Sequence, residues 1–195
     1  MKYKTTGFKG SKRKLLPAIT KLTLEVEDVE TFYDGFSGSG IVSAHMRHNG
    51  LEVFSSDKSP SAALYTSVFL NGFDKNLVEK EIKKINNLAG KKGWIFKNYS
   101  GNFLRPVRGE TSPQWRPRAF TVSNGQKLDA IFDYIHSLKP SAEKDALLFS
   151  AIIAMNKVFN GTNDQKSSLK EWSSSSKKRC KVGNANTCSG RQRHS

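Results

Sequence analysis

The chain has 195 residues, 36% of them hydrophobic, and 32 Lys and Arg against 17 Asp and Glu give a net charge of +15. That length supports one domain with an added lobe, and no run approaches the roughly 18 apolar residues of a membrane span, which excludes an integral helical membrane protein. Two cysteines, Cys180 and Cys188, cannot staple a fold, and the basic start lacks the apolar core of a secretory signal, so a cytoplasmic protein that meets a polyanion is expected.

Along residues 12–22 a Lys/Arg run gives way to Leu15, Leu16, Ile19 and Leu22 at helical spacing, with Pro17 in the first turn. Residues 31–33 read as a short strand entering Asp34-Gly-Phe-Ser-Gly-Ser-Gly40. A helix over 41–48 follows, closed by Asn49-Gly50. A second strand over 51–54 ends in Ser55-Ser56-Asp57, and Ser59-Pro60-Ser61 announces a helix over 62–70. Residues 77–88 read as a charged amphipathic helix with Leu77, Ile82, Ile85 and Leu88 inward.

Between 93 and 124, Trp94, Phe96, Tyr99, Phe103, Trp115 and Phe120 stand among Arg105, Arg108, Arg116 and Arg118 with three prolines, and irregular structure is expected. Two helices follow, over 128–138 and 142–159, the second with an apolar stripe of Leu147, Leu148, Ala151, Ile152, Met155 and Phe159 that reads as core. From Ser173 onward apolar residues nearly vanish. Residues 173–195 read as a disordered basic tail, with translation out of frame as the sharper alternative.

Charge is unevenly spread. Residues 1–24 hold seven bases and no acid, 25–57 hold one base and seven acids, and 173–195 hold six bases and no acid. Basic blocks around an acidic, Gly-rich centre suggest a site flanked by phosphate-tracking surface. The arginines of 93–124 are candidates for phosphate or guanine contacts, because aromatics and prolines interleave with them. Cys180, Cys188 and His194 are too few and too oddly spaced for a zinc set, and His45 and His48 read as ordinary surface histidines.

The strongest local pattern is Thr31-Phe-Tyr-Asp-Gly-Phe-Ser-Gly-Ser-Gly-Ile-Val-Ser43, a strand, a Gly-rich turn and a helix. Such a turn makes a nucleotide-sized crevice, because glycines let a ligand approach the backbone closely. Asp57 follows 17 residues after Gly40, where a carboxylate can accept hydrogen bonds from ribose hydroxyls. Ser43 stands where the dinucleotide fingerprint wants its third glycine, and no GxxxxGK phosphate loop occurs. A nucleoside-type cofactor is therefore expected, rather than a nicotinamide or a triphosphate.

Phe8-Lys-Gly-Ser-Lys12-Arg-Lys-Leu-Leu-Pro-Ala-Ile19, followed by Phe32-Tyr-Asp-Gly-Phe-Ser-Gly-Ser-Gly40, resembles the Dam-type adenine-specific DNA methyltransferases over roughly residues 3–172. Their first motif runs aromatic-x-Gly-Gly/Ser-Lys, then Leu-x-Pro-x-Ile. Their cofactor motif is Asp-x-Phe-x-Gly-x-Gly, with an acid after the next strand. The resemblance implies an α/β, Rossmann-like methyltransferase fold with a mainly helical and loop target recognition region, and S-adenosylmethionine as cofactor. By position, Phe8 and Lys12 border the cofactor, Asp34, Phe36, Gly38 and Gly40 surround its methionine part, and Asp57 meets its ribose. It implies double-stranded DNA as partner, contacted through Arg105, Arg108, Arg116 and Arg118, in a restriction–modification or related system. Residues 1–75 then form the cofactor part, 76–172 the recognition region, ending near Asn160-Gly-Thr162 and Leu169–Trp172, and 173–195 the tail.

One departure stands out. The family's catalytic tetrapeptide, Asp, Asn or Ser, then Pro-Pro, then Tyr, Phe or Trp, does not occur in the sequence; Ser112-Pro-Gln-Trp115 lacks the second proline and lies inside the recognition region. That tetrapeptide holds the exocyclic amine of a flipped adenine, a poor nucleophile, in line with the methyl group. The expectation is an N-terminal portion of such an enzyme, incomplete in its fold. By resemblance that enzyme is a site-specific DNA adenine methyltransferase; the alternative is a catalytically inactive DNA-binding remnant or one half of a split enzyme completed by a second chain.

Overall fold

The computed structural model describes residues 10–106, 111–161 and 169–183. Its architecture is α/β, in two units. One takes in the described residues up to Val78 with Pro140–Phe149, and the other takes in Glu79–Lys139 and the described residues from Ser150 on.

The first unit opens with a 3-10 turn, Arg13–Leu15, that leads into α1, Leu16–Leu24, with Pro17 in its first turn as the sequence predicts. The 3-10 turn advances three residues per turn, so the helical phase restarts at Leu16. Leu16 is buried, whereas Leu15 and Leu22, which share its helical spacing in the sequence, are exposed. Strand β1, Thr31–Asp34, is followed by α2, Ile41–His48, and by β2, Glu52–Ser55, which pairs parallel to β1 with Asp34 opposite Ser55. Helix α3, Pro60–Leu70, then buries Ala62, Tyr65, Val68, Phe69 and Leu70, so both its faces are covered. Met46, Leu51, Val53 and Leu70 form a core against which Ile19, Val29, Phe32 and Val42 pack. Phe149 sits edge-on to Tyr65 and Phe69, with ring centroids 5.4 and 5.7 Å away.

In the second unit the residues from Glu79 onward continue α4, Lys75–Asn87. Its buried stripe is Val78, Ile82 and Ile85; Leu77, expected inward, lies one position off that stripe and is exposed. Residues 93–124 are more regular than their composition suggests. They hold α5, Trp94–Tyr99, and an antiparallel hairpin of β3, Asn102–Arg105, with β4, Gln114–Pro117. Strands of four residues are too short to show alternation in the sequence, which is why the region reads as irregular.

Helix α6, Val122–Ser137, packs on α5, and glycines and one acid set that contact. Gly93 heads α5 without a side-chain cap, and the buried Asp129 of α6 accepts from the backbone N–H of Gly93, Ile95 and Phe96 at 3.0, 2.8 and 2.8 Å. A Cβ on Gly93 would sit 2.6 Å from the Asp129 carboxyl carbon, and one on Gly125 would collide with Ser100. Helix α7, Ala142–Val158, starts in the first unit; within the second its Ala151, Ala154 and Val158 are buried.

Residues 173–183, the first half of the expected disordered tail, are docked on the second unit. Three asparagine side chains hold the backbone of this strap. Asn160 Oδ1 accepts from Ser173 N at 3.0 Å; Asn124 Nδ2 donates to the Ser176 and Lys178 carbonyls at 2.9 and 2.8 Å, and its Oδ1 accepts from Cys180 N at 2.8 Å. Asn86 bonds both backbone groups of Val182, at 2.9 Å each. Ser176, Cys180 and Val182 are buried, while Lys177, Lys178, Arg179 and Lys181 are exposed. The remainder of the expected tail, 184–195, lies outside the described residues.

Candidate functional site

Parallel pairing of β1 and β2 sets the carboxyl ends of the two strands side by side, and the chain leaves both ends in polar turns. Ser56 N donates to the Asp34 carbonyl at 2.9 Å and Ser37 N to the Ser56 carbonyl at 3.1 Å, which ties the Gly-rich turn to the segment after β2. Asp57 completes the tie. Its Oδ2 accepts from Gly38 N and its Oδ1 from Ser59 N, both at 2.8 Å. Those two N–H groups favour the ionised form and hold the carboxyl below its ordinary value. Each oxygen keeps further lone-pair capacity for a ligand hydroxyl.

Two glycines of the turn are there for backbone reasons. Gly38 and Gly40 have φ of +50° and +71°, and Gly40 heads α2. A Cβ on Gly40 would come within 2.9 Å of the Phe69 ring and 3.1 Å of Thr66 Cα, so α2 and α3 approach more closely there than any other residue permits. Asp34 accepts from the buried Ser43 hydroxyl at 2.6 Å, and Thr66 Oγ1 lies 3.0 Å from Ser37 Oγ. Phe36 at the turn is 94% exposed, a large apolar ring set in water.

The structure thus brings Asp34, Phe36, Gly38, Gly40 and Asp57 of the expected cofactor set to one turn system. Lys12 is exposed, and its ammonium donates to the Gly10 carbonyl at 3.0 Å. Phe8 lies outside the described residues. Sequence reasoning missed Ser43 and the Ser37–Thr66 pair. Ser43 entered it only as a missing glycine, yet its place one turn into α2 aims a hydroxyl back at the strand end.

Of the expected DNA-contacting arginines, Arg105 lies on β3 opposite Gln114, and Arg108 falls outside the described residues. Arg116 Nη2 donates to Gln114 Oε1 at 2.7 Å. Arg118 Nη1 donates to the Lys97 and Asn98 carbonyls at 3.1 and 2.8 Å, and its guanidinium lies 5.7 Å from the Phe103 ring centroid. That side chain caps the end of α5 and fastens the hairpin to it. Leu104 and Trp115 face each other across the hairpin and are both exposed, as are Trp94 and Tyr99, whose rings are 5.0 Å apart.

A family model for the D12 class N6 adenine-specific DNA methyltransferases matches residues 8–190. The chain belongs to that family. No curated protein and no solved structure matches it. The methyltransferase family acts on the exocyclic N6 of adenine in DNA, an atom engaged in base pairing in a duplex, so its members must meet DNA and expose the target base. The match takes in the Gly-rich turn, Asp57, the arginine-bearing hairpin and the docked strap. Among the described residues, no helix of the methyltransferase is long and apolar enough to cross a membrane.

Proposed function

We propose that the turn between β1 and α2 binds S-adenosylmethionine within a Rossmann-like fold, of which β1, α2, β2 and α3 are the first part. The observation that carries this reading is the bond from Gly38 N to Asp57. In a loop that cradles phosphate, such an N–H group is offered to the anion. Here a carboxylate occupies it, which suits a ligand with hydroxyls and cationic groups and opposes a phosphate. S-adenosylmethionine has that chemistry: ribose hydroxyls to donate to Asp57 and an ammonium to meet the Asp34 carboxylate. Gly38 and Gly40 shape the turn, Phe36 supplies an apolar contact, and Phe8 and Lys12 border the site. When bound, the cofactor supplies the methyl group; the chain's own residues bind and orient it.

Residues 1–75 are then the cofactor part and 76–172 the target recognition region, in which Arg105, Arg108, Arg116 and Arg118 contact double-stranded DNA in a cytoplasmic restriction–modification setting. A second reading has a specific observation behind it. The sequence contains no Pro-Pro tetrapeptide to hold the adenine amine. On that reading the chain binds cofactor and DNA but transfers no methyl group, as an inactive remnant or as one half of an enzyme completed by another polypeptide.

Calorimetric titration with S-adenosylmethionine tests the first reading. Asp57→Ala is expected to weaken binding roughly 10- to 100-fold, the scale of losing hydrogen bonds to a charged acceptor. Unchanged affinity, or no binding by the unaltered chain, overturns it. Radiolabel transfer to duplex DNA, run on the same sample, decides between the readings, since transfer by the chain alone eliminates the second.

A further inference from the structure

We propose that a groove in the second unit, separate from the arginine-bearing hairpin, holds the sugar–phosphate backbone of the DNA substrate through Lys177 and Arg179. The groove has a volume of about 400 Å³ and lies between Gly90 after α4, Ser123 and Lys127 at the start of α6, and Lys177 and Arg179 on the strap. Among the described residues, none that lines it is acidic.

The Asn lock decides how the strap is displayed. Asn86, Asn124 and Asn160 bind only its backbone groups and the Ser176 hydroxyl, and they bury Ser176, Cys180 and Val182. The side chains left outward are Lys177, Lys178, Arg179 and Lys181, four cations with no carboxylate in the strap to balance them. Like charges crowded on a fixed backbone repel one another unless an anion lies among them.

Lys127 adds to this field without competing for the ligand. Its ammonium is spent on the Ile85, Asn86 and Leu88 carbonyls at 2.9, 2.9 and 2.6 Å, which uses all three of its protons. Burial first, and then the nearby Arg179 guanidinium, push its pKa down, so Arg179 lies close enough to the groove wall for its charge to be felt there. Lys177 and Arg179 are exposed, and among the described residues neither side chain has a hydrogen bond or an ion pair. An open groove with several cations along its rim fits a polyanion running across it. A single small anion calls instead for donors that converge in a closed pocket.

This inference rests on the family's action on DNA, and the test separates the two. Binding of a short labelled duplex is followed by anisotropy against salt, for the unaltered chain, for Lys177→Gln with Arg179→Gln, and for Arg116→Gln. Each lost phosphate contact lowers the slope of log affinity against log salt by about 0.9, so the double variant is expected to lose about 2 from it, equally for any duplex sequence. S-adenosylmethionine affinity, measured alongside, is expected to stay unchanged. Inorganic phosphate at matched ionic strength is expected not to displace the duplex; specific displacement would assign the groove to a small anion and overturn the proposal. An unchanged slope in the double variant, with Arg116→Gln lowering it, overturns the groove and leaves DNA binding intact. Failure of the unaltered chain to bind any duplex overturns both.

Discussion

Asp129 shows how much one side chain carries here. α5 has six residues and no capping side chain of its own, so its free N–H groups depend on a carboxylate from another helix. Asp129→Ala leaves the part-buried N–H groups of Ile95 and Phe96 without that acceptor, while Gly93 N keeps the Lys91 carbonyl at 3.1 Å, and a loss of about 2–3 kcal/mol is expected in urea unfolding, with Asp129→Asn intermediate. A loss below about 0.5 kcal/mol would show that water satisfies those groups. Asp57 makes a comparable bond in a wetter place, and its consequence is read in pH rather than in stability. Its pKa lies below the ordinary 3.8, so the ionised carboxylate is the form held by Gly38 and Ser59. The contribution is therefore fully present above about pH 4 and lost as pH falls through the lowered value. Cofactor affinity is expected to stay flat from neutral pH down to about pH 4.5, apart from the ligand's own titration. A decline centred near pH 6 and removed by Asp57→Asn would show a raised carboxyl and sink the assignment.

At the scale of elements, legibility followed locality. The 41–48 helix was readable because Gly40 and Asn49-Gly50 punctuate it in the sequence, and both strands beside it lie within a residue of their expected bounds. The hairpin was not, because two four-residue strands carry too little alternation to outweigh the flanking prolines. The strap escapes a sequence reading for a different reason. Its own composition predicts no core, and besides the nearby Asn160 what orders it are asparagines 52 to 96 positions away in the chain, Asn124 and Asn86. Asparagines on helices give no sign of what they will bind. Cys180 tests the docking directly. It is buried, and burial pushes its thiol up to about 11. With Cys188→Ser removing the other thiol, a disulfide reagent at neutral pH is expected to label Cys180 slowly. Adding Asn124→Ala should speed labelling roughly tenfold, because about 1.4 kcal/mol of docking is lost with its bonds. Labelling of the docked form as fast as a free peptide would refute the packing, provided circular dichroism shows the helices retained.

For the whole molecule, the sequence pointed to the Gly-rich turn but not to where charge would gather. The acidic Gly-rich centre holds a carboxylate-held turn in one unit, and the described part of the last basic block rims a groove in the other. The turn was legible because β–turn–α–β brings residues 34–40 and 57 together whenever two strands pair in parallel. The Gly38–Asp57 bond itself was not, since either group alone reads as a ligand contact. The groove was illegible altogether, because one wall belongs to a stretch expected to have no fixed position. The way that wall is fastened has one more consequence. Its anchors grip main-chain atoms and leave the outward side chains without a part in the fold, so positions 177, 178, 179 and 181 can be rewritten freely. Retuning the groove, even to a negative one, would then be a matter of editing a surface cassette rather than redesigning the protein beneath it.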